Sequence, residues 1–194
     1  MNYSQNEEQA AILEAVKDMP TGRFLDIGAY DGITFSNTRA LAGMGWGGVL
    51  VEPGAQAFAR LWACYGHLPD RFKLLQTVVG IESRDLVEFW DCGDFYSTTE
   101  ESNREKWQHA TQFYKVLMPQ IGITDLLMKF QPFDVVSIDT EGTSVRLLGK
   151  MLATGALPRV ICVEHDGQDL MAISKMFGYS ITYQSPENVV MVRK

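Results

Sequence analysis

Arg23-Phe24-Leu25-Asp26-Ile27-Gly28-Ala29-Tyr30-Asp31-Gly32 reads as a short buried strand that breaks, at an acid, into a glycine-containing turn. The apolar run is too short for a helix, and Pro20-Thr21-Gly22 punctuates its entry. Gly28 permits a tight turn and Gly32 lets the next helix pack closely, so a ligand can approach bare backbone. Val49-Leu50-Val51 closed by Glu52 and Pro53, Phe133–Ile138 closed by Asp139, and Arg159–Val163 closed by Glu164 repeat the pattern. Helical spacing fills the intervals at Ala55–Tyr65, Ser144–Leu152 and Asp169–Phe177. Strands alternating with helices predict an α/β fold with a doubly wound, mostly parallel sheet. In such sheets ligands bind beyond the carboxyl ends of the strands, where Asp26, Glu52, Asp139 and Glu164 all gather.

The flanking segments complete one domain over residues 1–194. An N-terminal helix is expected within residues 1–21, and a short helical stretch around Thr38, Leu41 and Met44. Lys73–Val79 reads as the third strand, ending at Gly80, and Leu86–Trp90 alternates like an antiparallel strand. Glu100–Tyr114 is predicted as a polar exposed helix, Lys115–Ile123 as extended, and Thr124 as the cap of a helix over Asp125–Lys129. Residues 91–120 are a candidate lid or substrate insertion, with Phe95, Tyr96 and Trp107 either anchoring the core or facing an acceptor. Tyr179–Tyr183 and Val189–Val192 predict a terminal antiparallel hairpin.

Composition removes several classes of function. Of 194 residues, 46% are hydrophobic and 21% charged, which excludes general disorder. A net charge of −7 opposes a nucleic-acid groove, where phosphates must be neutralised by Lys and Arg. Cys64, Cys92 and Cys162 are odd in number and widely spaced, so neither a disulfide framework nor a thiolate zinc site is expected. No signal peptide or membrane span is legible, and a cytoplasmic protein is expected.

The turn after the first strand has the spacing Gly-x-x-x-Gly, which matches neither the dinucleotide fingerprint nor a Walker loop. A leading Asp26 suits a cationic or amino-bearing ligand, and Glu52 can accept two hydrogen bonds from ribose hydroxyls. The plainer alternative is that these acids and glycines only finish strands. Asp26-Ile27-Gly28-Ala29-Tyr30-Asp31-Gly32, Gly45-Trp46-Gly47-Gly48-Val49-Leu50-Val51-Glu52-Pro53 and Phe133-Asp134-Val135-Val136-Ser137-Ile138-Asp139-Thr140-Glu141-Gly142 together resemble FkbM-type S-adenosylmethionine-dependent methyltransferases. The likeness, which includes Thr124-Asp125-Leu126-Leu127, runs from about Gly22 to Val163. It implies a seven-stranded Rossmann-like sheet with a C-terminal hairpin. Asp26, Gly28 and Gly32 would surround the amino-acid part of the cofactor and Glu52 would bind its ribose, with Ala29, Tyr30 and Pro53 as further cofactor-binding candidates. Val79 and Gly80 are the candidates beside the adenine, and Asp139 completes the cofactor set. Where the family often carries a serine pair, this chain has Ser97-Thr98-Thr99.

At the other end of the cleft, Asp139 and Glu141 leave one strand two positions apart, and Glu164-His165 leaves another. Carboxylates with an imidazole suit Mg²⁺ or Mn²⁺. By resemblance to sugar O-methyltransferases of related fold, Asp139, Glu164 and His165 are candidate metal ligands and Glu141 a candidate base. Asp139 and His165 join Glu141 as candidate catalytic residues. An ion pair between Glu141 and Arg146, a helix-capping Asp139 and a merely hydrogen-bonded His165 are the blander readings. The expected function is methyl transfer from S-adenosylmethionine to an oxygen of a small hydroxylated or glycan-like acceptor, without nucleic-acid or membrane partners and with room for a homo-oligomer. An NAD-type oxidoreductase and an inactive cofactor-binding partner subunit are the alternatives.

Overall fold

A computed structural model describes residues 1–193. The fold is built on β1 (Arg23–Ile27), β2 (Gly47–Val51) and β3 (Phe72–Leu75), which with β7 (Val135–Ile138) and β8 (Val160–Glu164) form parallel neighbours. The terminal hairpin β9 (Tyr179–Gln184) and β10 (Asn188–Arg193) completes a seven-stranded sheet of order β3-β2-β1-β7-β8-β10-β9. β10 alone runs against its neighbours. Every residue of β7 is buried, as expected for a strand covered on both faces by helices.

One layer centres on α5 (Ile123–Phe130) and α6 (Ser144–Ala153), where Leu126, Leu147, Leu148 and Met151 pack against Leu25, Ile138 and Ile161. The other holds α1 (Glu8–Ala15), α2 (Arg39–Gly43) and α3 (Ala55–Tyr65), with Ile12, Leu41 and Leu61 around Phe24, Leu50 and Trp46. Gly48 is bare because a Cβ there would lie 2.6 Å from the carbonyl of Phe24 in the neighbouring strand. The short α7 (Met171–Met176) leads into the hairpin.

The expected third strand over Lys73–Val79 is two strands in two sheets. β3 stops at Leu75, and β4 (Val78–Gly80) pairs instead with β6 (Tyr114–Gly122), which also carries β5 (Arg84–Asp91). Val78, Val79 and Phe89 of this three-stranded sheet line the same cleft as the ends of β1 and β2. The polar helix predicted from Glu100 is the shorter α4 (Glu101–Trp107), and Tyr114 already belongs to β6. Thr124 lies inside α5, behind an N-cap at Gly122, and its buried hydroxyl has no hydrogen-bond partner among the described residues. No helix of the described residues is long and apolar enough to cross a membrane.

Candidate active site

β1 delivers the first group. Its last residues turn back beneath β2, where the N–H groups of Gly28 and Ala29 both donate to the Val51 carbonyl at 3.0 Å. Gly28 has φ +85, and a Cβ would lie 1.6 Å from the carbonyl oxygen of Asp139, so only glycine fits between β1 and the end of β7. Tyr30 follows with φ +50, a left-handed conformation unusual for a side chain of that size. Its N–H donates to Glu52 Oε2 at 2.9 Å, and its hydroxyl donates to Asp94 Oδ1 at 2.8 Å.

Glu52 is thereby fixed. Its other oxygen accepts from Gly54 N–H at 2.7 Å, leaving further lone pairs on both oxygens for a ligand. Burial pushes its carboxyl up to about 7 despite those two donors. Asp26 is buried as well, accepts from the Thr38 hydroxyl at 2.6 Å, and is pushed by burial up to about 6. Both acids line one cleft of about 1040 Å³, its open mouth included, together with Gly28, Ala29, Tyr30, Pro53, Val79 and Asp139. Two residues expected here do not line it. Gly32 faces α3, where a Cβ would meet Tyr65 and Leu61, and Gly80 faces Gln120 of β6.

Beyond β7 and β8 the acids converge. Asp139, Glu141 and Glu164 each place a carboxylate oxygen within 4.8 Å of the others. Glu164 Oε2 accepts from the Glu141 N–H at 3.1 Å and from the Ser144 hydroxyl at 2.9 Å, locking the loop to the start of α6. Glu141 is left-handed at φ 51, and its carbonyl accepts from Thr98 at 2.8 Å. Burial and then neighbouring negative charge raise all three carboxyls, Asp139 to about 7 and Glu141 and Glu164 to about 8. Lys106 of α4 is the cation that opposes this rise at Glu141.

His165 does not join them. Its Nδ1 accepts from Gly167 N–H at 3.0 Å and its Nε2 lies 3.2 Å from the Ser185 carbonyl, so the ring is a buried brace between β8 and the hairpin turn. The groups close enough to share one cation are Asp139, Glu141 and Glu164, rather than the expected Asp139, Glu164 and His165. Arg146 pairs with Glu100 rather than with Glu141. Sequence reasoning missed Phe35, Ser36, Asn37, Asp94 and Ser137, which line the same cleft from loops and from the middle of β7. Phe35 and Phe95 stand edge to face at 5.9 Å over its mouth, and Tyr96 stacks on Trp107 at 4.3 Å beyond them.

The strand order, the reversed strand near the sheet edge and the glycine turn facing an acid at the end of β2 define a Rossmann-like methyltransferase. The chain belongs to the family described as the methyltransferase FkbM domain, whose model matches residues 26–180. Among solved structures, the FkbM methyltransferase of Methylobacillus flagellatus superposes with a TM-score of 0.58 at 10% identity, over 98% of this chain and 56% of that one. Escherichia coli yhhF, designated a methyltransferase, gives 0.56 at 11% identity over 100% and 89%. A Geobacter sulfurreducens methyltransferase gives 0.53 at 9% over 98% and 80%. No curated protein sequence matches the chain. Family membership implies S-adenosylmethionine as the methyl donor.

Proposed function

We propose that this methyltransferase transfers the methyl group to an oxygen of a small hydroxylated or glycan-like acceptor. The observation that carries the reading is the carboxylate cluster of Asp139, Glu141 and Glu164 at the open end of the cleft, beside the acids suited to the cofactor. The residues present fit that cofactor. Asp26 keeps lone pairs for an ammonium group, Glu52 keeps lone pairs for two ribose hydroxyls, and Val79 and Phe89 offer apolar surface for a purine. When bound, S-adenosylmethionine supplies an electrophilic methyl group on a sulfonium.

The chain's own task is to hold the acceptor oxygen in line and take its proton. Glu141, with a carboxyl near 8, is matched to proton transfer around neutral pH. Phe35 and Phe95 give an acceptor ring apolar faces to lie against and limit water in the cleft. A divalent cation held by Asp139 and Glu164, with Glu141 beside it left free as the base, belongs to the same reading: it would lower the pKa of an acceptor hydroxyl and offset the repulsion among three acids. The family match supports methyl transfer and gives no support to the NAD-type alternative.

The test is a screen of hydroxylated acceptors with labelled S-adenosylmethionine, followed by Glu141→Gln. Product methylated on oxygen is expected, with kcat reduced about 10²–10⁴-fold in the variant, the usual contribution of a positioned base. Label arriving on nitrogen or carbon would overturn the O-methylation reading. Full activity of Glu141→Gln would move the base elsewhere, and turnover that survives exhaustive chelation would remove the cation.

A further inference from the structure

Three aromatic side chains and one acid meet in a corner at the mouth of the cleft. Phe95 stands nearly at right angles to Tyr30, with ring centroids 6.0 Å apart and planes at 82°, and to Phe35, at 5.9 Å and 75°. All three line the cleft together with Asp94. Phe35 is 48% and Phe95 38% exposed, so neither ring is spent on the core and both remain open to a ligand.

Asp94 supplies the charge of this corner. Its Oδ1 accepts from the Tyr30 hydroxyl at 2.8 Å and from the Phe95 N–H at 2.9 Å. Its Oδ2 meets no donor, and no Lys or Arg pairs with it, among the described residues. The corner is also held in shape before any ligand arrives. Tyr30 and Phe35 are left-handed, at φ 50 and 55. Asp31 Oδ1 accepts from the N–H groups of Ile33 and Thr34 at 2.8 and 2.7 Å, which fixes the loop that carries Phe35. On the other side, the loop that carries Asp94 and Phe95 runs on to Thr98, whose hydroxyl holds the Glu141 carbonyl at 2.8 Å. The corner is thus tied directly to the reaction centre.

Aromatic faces beside an unpaired carboxylate suit an organic cation, because the ring quadrupole attracts positive charge and the acid completes the pair. A purely apolar ligand would cover Asp94 without pairing it, a desolvation cost that an ammonium group removes. The protein's own cations do not fill the place. Arg60 stands 5.0 Å from the Tyr30 ring centroid and donates to the Gly93 carbonyl at 3.3 Å, but no Lys, Arg or His lines the cleft.

We infer that Tyr30, Phe35, Phe95 and Asp94 form a cage for an ammonium group on the acceptor, which makes the acceptor a hydroxylated amine. The inference rests on the reading of the open end of the cleft as the acceptor site, and adds the charge that the acceptor carries.

Two probes of one shape isolate that charge: choline, and its neutral isostere with a tert-butyl group in place of the trimethylammonium. Each is titrated by NMR into the full chain saturated with S-adenosylhomocysteine. Choline is expected to bind about tenfold more tightly than the isostere. Phe95→Leu, which keeps apolar bulk, and Asp94→Asn, which keeps an acceptor for Tyr30, should each cut that ratio several-fold in proteins that still bind S-adenosylhomocysteine. Equal binding of the two probes by the native protein overturns the inference, as does a preference that survives both substitutions. A preference lost only in Asp139→Asn assigns the cation to the acids of the reaction centre and overturns it too. The acceptor screen separates the cage from the reading beneath it. Methylation on oxygen confined to amine-free acceptors removes the cage and keeps O-methyl transfer, whereas label on the nitrogen of an amine removes O-methyl transfer and keeps the cage.

Discussion

Gly28 shows how tightly one residue couples the two halves of the site. It occupies a left-handed conformation, and the nearest atom to any added Cβ is the backbone oxygen of Asp139, which cannot swing aside as a side chain would. Gly28→Ala is therefore expected to cost at least about 3 kcal/mol of stability, combining an unfavourable φ with an immovable overlap. Urea denaturation would show this as a lower midpoint at unchanged slope. Gly149 is a contrasting control within α6, where a Cβ approaches nothing closer than Ile173 at 4.0 Å. The same scale explains Tyr30, Phe35 and Glu141, three non-glycine residues at positive φ that all line the cleft. Backbone strain of this kind survives where surrounding contacts over-determine it. Here those include the Tyr30 hydroxyl on Asp94 and the Thr98 hydroxyl on the Glu141 carbonyl.

At the scale of elements, the main sheet was largely legible because its strands are short, apolar and punctuated by acids. β1, β2, β7 and β8 fall where Arg23–Ile27, Val49–Val51, Phe133–Ile138 and Arg159–Val163 placed them, and α3 coincides with Ala55–Tyr65. The segment from Lys73 to Val79 was not legible, because no Gly, Pro, Asn or Asp breaks it to reveal that the chain changes sheets at Gln76 and Thr77. Glu100–Tyr114 lost half its predicted helix for a related reason: Phe113 and Tyr114 look like helix anchors in sequence, yet Tyr114 pairs with Asp91 across two strands. Among the candidate site residues, Asp26, Glu52, Asp139 and Glu164 were found because each lies at a strand end, and Glu141 because it follows Asp139 by two positions. His165 was misplaced because sequence proximity to Glu164 says nothing of which way its ring turns. Ser36 and Asn37 were missed because a Ser-Asn-Thr stretch before a helix reads as ordinary capping.

For the whole molecule, the concentration of raised carboxyls in one cleft governs how stability responds to pH. Asp26, Glu52, Asp139, Glu141 and Glu164 have native values from about 6 to about 8, all above their ordinary values of 3.8 or 4.5. Between those limits the folded protein holds more protons than the unfolded chain, so stability must fall as pH rises. The contribution is fully present below about pH 4 and is lost progressively up to about pH 8. The thermal midpoint of the ligand-free protein is expected to drop between pH 5 and pH 8. A midpoint that instead climbs over this interval would show that these acids are already ionised in the native state.

The open lone pair on Asp26 has a further consequence for heat rather than for structure. A cationic ligand settling against this acid favours its charged form and so drives its pKa back down. Near pH 6 the carboxyl must then expel a fraction of a proton as the ligand enters, and the surrounding buffer must absorb it. The cleft therefore behaves as a ligand-operated proton source. Its calorimetric signature is an apparent binding enthalpy that shifts linearly with the ionisation enthalpy of the buffer, and that shift should shrink in Asp26→Asn, with Glu52 and Asp139 left to supply the remainder.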